Sequence, residues 1–183
     1  YRSLVEFCRE KRLKLIASNF PWDLGLKVGQ MGYEAAIATF TEEEKKYLPS
    51  MYDAPDDAYR KKHREYMISS MTHGGPMGMS EEMAFHYYQN QVLRDETMAE
   101  SAYKAWLAEP DHTVLHVVGA FHTECYQGTY ERIKKRMPDG DLVSVLIRTV
   151  ENLMDVDLDD VPGCDYVIFV IGEPPPDMLG KPK

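Results

Sequence analysis

The sequence predicts an α/β protein, with a mostly parallel sheet flanked by helices in a single domain. Three observations carry this. Short apolar runs near residues 13–18, 112–118, 141–148 and 165–171 have the length and continuous apolarity of buried strands. Long helical patterns separate the first two runs, and a shorter one follows the second. The resulting order, β–α–α–α–α–β–α–β–β without internal repeat, is the alternation that lays helices over a parallel sheet. Four strands are few for so many helices, and the chain opens at Tyr1 inside a helical pattern. One or more strands are therefore expected upstream. The domain is placed at residues 1–172, with a Pro-rich extended tail at 173–183.

Composition narrows the function classes. The chain has 183 residues and a formal net charge of −9, which argues against nucleic acid as a partner, because that needs a basic footprint. No apolar run approaches the roughly 18 residues of a membrane span. Three cysteines, Cys8, Cys125 and Cys164, are an odd number without CxxC spacing. They make neither a disulfide framework nor a structural zinc site, and free thiols are expected.

Taken in order, residues 2–11 place Leu4, Phe7 and Cys8 on one helical stripe. The run 13–18 reads as a strand ending at Asn19-Phe20-Pro21, where proline forbids further ladder. Asn19 thereby becomes a candidate site residue or a turn-satisfying amide. Residues 23–48 read as helical, with Gly29 and Gly32 loosening the pattern. Thr41-Glu42-Glu43-Glu44 is a capping-box signature. A helix is expected over 59–72. The loop 74–79 belongs to a run rich in methionine (Met67, Met71, Met77, Met79, Met83), either adaptable packing or a soft wall for a flat apolar ligand. Ser80-Glu81-Glu82 starts a long crossover helix ending near Leu107, with a stripe of Met83, Tyr87, Val92 (or Gln91), Met98 and Trp106. Glu82 and His86, four apart, form an exposed pair or a chelating spacing.

The stretch 112–128 carries the main functional signal. A strand through Val114, Leu115, Val117 and Val118 breaks at Gly119, which is expected to allow a tight turn. His122, Glu124, Cys125 and Tyr126 follow before Gly128. In open parallel sheets, ligands bind beyond the carboxyl ends of strands. His122 could bind a metal, hydrogen-bond an anion or act as acid–base, or it could serve structure alone. His116 reads as a satisfied core residue. Arg94, Asp95 and Glu96 read as a solvated helix face, or alternatively as a carboxylate turned toward His122. Phosphate-loop, zincin and serine-hydrolase motifs are absent.

Together, Asn19-Phe20-Pro21, Gln91 with Arg94-Asp95-Glu96-Thr97-Met98-Ala99, and Gly119-Ala120-Phe121-His122 followed by Gly128 resemble the ChaN-like haem-binding family, related to the Tiki/TraB group. The resemblance runs over nearly the whole chain. It implies an earlier Gly-Glu-x-His strand that this chain lacks. It also implies a haem-binding, iron-linked bacterial envelope protein, lipid-anchored in the periplasm or outer membrane through that earlier part, with a homodimer as a further expectation. Haem is the expected cofactor, with His122 and either Tyr126 or Cys125 near the iron. Gly119, Asn19, Asp95 and Glu96 complete the ligand-binding set. Two departures stand out: Trp22 where the family carries Arg, and Cys125 where it often carries Tyr, with Tyr126 one later. The competing readings are a divalent-metal hydrolase of the Tiki/TraB type, in which the metal activates water, and a non-catalytic interaction module of an envelope assembly.

Overall fold

Helix α6 (Glu81–Ala108) forms the axis on which the other elements are arranged. Its start is fixed locally. The Ser80 hydroxyl accepts from Met83 N at 3.1 Å, and Glu81 and Glu82 sit in the first turn where the helix dipole favours acids. The computed structural model describes residues 2–71, 79–159 and 161–172. Within them lie α1 (Arg2–Lys11), α2 (Trp22–Met31), α3 (Tyr33–Ala38), α4 (Glu42–Lys45), α5 (Ala58–Met71), α6, α7 (Thr129–Arg136) and strands β1 (Val145–Val150) and β2 (Tyr166–Ile171). The mixed helix-and-strand content in one domain is that of an α/β fold. The expected tail and most of the methionine-rich loop lie outside the described residues.

Helices α2, α3, α5 and α7 all pack on α6. The α2 contact explains three glycines. A Cβ at Gly25 would stand 2.7 Å from Asn90 Oδ1, one at Gly29 3.1 Å from the Tyr87 ring, and one at Gly32 2.9 Å from His86 Nε2. Gly25 and Gly29 let α2 approach α6 closely, so Gly29 does not loosen the helix as the sequence suggested; Gly32, at φ +84°, does interrupt the helical run between α2 and α3. Phe20, Leu24, Val28, Ala36, Phe40 and Leu93 form the core beneath, each large side chain contributing about 1.5–3 kcal/mol by burial. A second cluster joins Tyr59, Tyr88 and Val92, with Phe121 packed against it. The buried stripe of α6 therefore runs through Ala84 and Tyr88, not Met83 and Tyr87. The capping box at Thr41 is present, with Glu44 N on Thr41 Oγ1 at 3.2 Å and Thr41 N on Glu44 Oε2 at 2.7 Å.

The sheet is thinner than expected. β1 and β2 pair in parallel from Val145↔Tyr166 to Val150↔Ile171, and no other strand forms among the described residues. Residues 13–18 and 113–118, both expected as strands, carry no regular structure. Leu13, Leu15, Ile16 and Leu115 stand exposed there. The physical reason is that a strand is a paired object: apolar runs supply propensity, but a ladder needs a neighbouring backbone. No helix of the described residues is long and apolar enough to cross a membrane.

Candidate functional site

The turn after residue 118 is built on a buried carboxylate. Asp95, fully buried in mid-α6, receives the Tyr59 hydroxyl at 2.8 Å and the Thr129 hydroxyl at 2.7 Å. Its Oδ1 also lies 2.6 Å from His122 Nδ1. A carboxylate only accepts, so Nδ1 carries a proton here. Gln91 Nε2 donates to Tyr59 Oη at 2.9 Å. Its 3.1 Å approach to His122 Nδ1 is a contact between two donors, not a hydrogen bond. Three donors converge on one buried anion, and this ties α5, α6, the turn and the start of α7 to a single point.

The glycine this turn requires is Gly128. It has φ +59° and ψ −124°, a backbone state open to glycine and strained for any other residue. A Cβ there would lie 2.5 Å from His122 O and 2.9 Å from Tyr59 Oη. Gly119 differs from its sequence expectation. Its φ of −64° suits any residue, and a Cβ would meet only His122 Cδ2 at 3.9 Å.

A second buried network braces the first. Arg132 donates from Nη1 to Gly128 O at 3.0 Å, its Nε lies 3.1 Å from Glu96 Oε1, and its guanidinium faces the Tyr59 ring at 5.7 Å. Glu96 Oε2 also pairs with Arg136 Nη2 at 2.6 Å. Lys62 of α5 binds Glu124 at 2.7 Å and lies over the Phe121 ring at 4.4 Å. Two imidazoles close by are incompletely served. His63 Nδ1 and His116 Nε2 are buried without a hydrogen-bond partner among the described residues. Burial pushes the His63 pKa down to about 4, with the Asp95 charge opposing and His122 adding to the shift. Burial lowers His116 too, so the expected satisfied core histidine is half-buried and unsatisfied.

The outer half of the turn is strained. Cys125 and Tyr126 both have φ +58°, a left-handed state costing on the order of 1 kcal/mol or more for each non-glycine residue. It is held from outside: Cys125 N donates to Gly163 O at 2.8 Å and Tyr126 Oη donates to Asp165 Oδ1 at 3.2 Å. Burial, then the Asp165 charge, raises the Tyr126 pKa. Tyr126 is 38% exposed and meets Tyr130 edge-on at 5.1 Å between centroids. Both line a shallow cleft of ≈ 270 Å³ with Glu131, Lys134, Lys135 and Pro138.

The sequence-derived candidates thus separate into groups. His122 and Asp95 meet in the interior. Glu96 is buried against Arg132 and Arg136, so the Asp95–Glu96 pair is not the solvated face that its charge suggested. Tyr126 and Cys125 face outward beside α7. Asn19 lies apart and accepts from Arg94 Nε at 3.2 Å. Sequence reasoning missed Tyr59, Thr129 and Arg132. Gln91, one turn before Asp95 on the same face, was the one readable clue. All three cysteines are free thiols.

A family model described as haem-binding uptake, Tiki superfamily, ChaN, matches residues 1–133. The chain belongs to that family. No curated protein and no solved structure matches it. The residues present fit the group that the family's name implies. A haem iron takes one or two axial ligands, and the turn offers an outward phenol, an outward thiol and, buried behind them, the His122 imidazole. A bare divalent ion needs more: no three His, Cys, Asp or Glu side chains among the described residues are placed to hold one. The divalent-metal hydrolase reading therefore lacks its metal site there.

Proposed function

We propose that this protein binds haem at the strained turn beside α7, as cargo handled in the bacterial cell envelope in the service of iron or haem uptake. Family membership supports haem as the ligand. The observation that carries the location is Tyr126: a phenol held in a left-handed backbone state at the mouth of a cleft whose walls are mainly apolar surface, with Glu131, Lys134 and Lys135 among the side chains that line it. Backbone strain that neighbouring structure must hold in place is characteristic of ligand sites. Tyr126 would offer its phenolate oxygen as the axial ligand, and Cys125 stands next in reach. His122 is 7% exposed, with its ring tied to Asp95, and acts chiefly by fixing the turn to α6. Bound haem supplies a redox-active iron. The protein's residues orient it and tune its affinity. Asp165 accepts a hydrogen bond from the Tyr126 hydroxyl and its charge disfavours the phenolate, so ligation by Tyr126 is expected to strengthen as pH rises. The open cleft suits a ligand that is taken up and passed on.

Titrating haemin into the protein and following the Soret band tests this. A saturable spectral change is expected, with affinity at least about tenfold weaker in Tyr126→Phe, a loss of ~1.4 kcal/mol. A wild-type titration without saturation would sink the proposal.

A further inference from the structure

We infer that Lys134 and Lys135 form the anion-recognition element of the α7 cleft and hold the carboxylates of a planar apolar ligand seated against Tyr126 and Tyr130. The inference rests on the haem reading above and adds how the protein, rather than the iron, selects its ligand. The argument begins with charge. The chain carries −9 overall, so a ligand with two propionates is repelled by most of its surface. The last turn of α7 runs against that trend, with Lys134, Lys135 and Arg136 in succession. Arg136 is not available to a ligand, because Glu96 pairs with it in the interior. The two lysines are exposed and line the same cleft as the two tyrosine rings and Pro138.

Their present partners are easily exchanged. Lys135 pairs with Glu131 one turn earlier at 2.6 Å, an exposed i,i+4 pair of the weak kind that solvent largely screens. Lys134 donates to the Gly140 carbonyl at 3.1 Å at the surface. Swapping either contact for a ligand carboxylate loses little and gains a charge-assisted hydrogen bond. An apolar floor with ammonium groups at its rim complements an amphipathic plate: ring system inward, carboxylates outward. At ≈ 270 Å³ the cleft seats one edge of a porphyrin and leaves the remainder open. Lys134 and Lys135 lie just beyond the region matched by the family model, which ends at residue 133.

The test compares haemin with haemin dimethyl ester, whose carboxylates are masked, on the wild-type chain and on Lys134→Glu/Lys135→Glu. Wild type is expected to bind haemin at least tenfold more tightly than the ester, with the preference weakening as salt rises. The double variant is expected to lose that preference while its Soret maximum stays where wild type has it. Equal wild-type affinity for the two probes overturns the inference without needing any variant. So does a double variant, folded by circular dichroism, that retains the preference. Binding of both probes with equal affinity leaves the haem reading standing and removes only the lysine role. No binding of either probe removes both.

Discussion

At the scale of single residues, the site depends on a few positions whose chemistry admits no substitute. Gly128 is one: its backbone state and the 2.5 Å approach of His122 O exclude any Cβ. Gly128→Ala is expected to cost ~3 kcal/mol or more and to release the turn, measured as a lower urea midpoint. His63 matters in a different way, through pH. Its pKa falls from 6.5 to about 4 on folding, so between these values the unfolded chain binds a proton that the folded chain refuses. Stability therefore declines as pH falls through that window, by at most about 1.4 kcal/mol per pH unit. His63→Phe, which keeps the aromatic contact with Phe121, is expected to flatten this part of the urea-midpoint profile. An unchanged slope would show that the burden lies elsewhere. His122 was legible in the sequence as a histidine soon after an apolar run, and Asp95 only as the alternative to a solvated helix face, a carboxylate turned inward toward His122. Tyr59 and Thr129 were not, because their parts depend on where α5 and α7 dock, which no local pattern encodes.

At the scale of elements, α6 and α7 are joined by charge as well as packing. Glu96 serves two guanidinium groups, Arg132 and Arg136, with little access to water. Removing one member of a buried pair leaves the others uncompensated, at about 3–5 kcal/mol. Glu96→Ala is expected to destabilise by that amount and to loosen Gly128 through Arg132. A loss under about 1 kcal/mol would show that water reaches these groups. Helices were the most readable elements, since caps at Thr41 and Ser80 are encoded within four residues. The phase of α6 was misread by one residue, at Tyr88 against Tyr87, because both tyrosines fit a helical stripe and only tertiary contact chooses between them.

At the scale of the whole molecule, helices packed around one long axis carry a small parallel sheet. The α/β class was legible from the alternation of runs. The strand count was not. Residues 13–18 and 113–118 have the same apolar character as β1 and β2, yet only the latter find each other, and pairing is a property of two segments at once. The same architecture places the turn so that its inner half is locked to α6 through Asp95 while its outer half presents Tyr126 beside the basic end of α7. An anchored turn behind an exposed phenol is what the proposed haem site requires. The resonance Raman spectrum of the ferric haemin complex tests that most directly. Iron–phenolate bands are expected in the wild-type complex and absent from Tyr126→Phe. Spectra that are identical in the two proteins would contradict the assignment of this turn as the haem site.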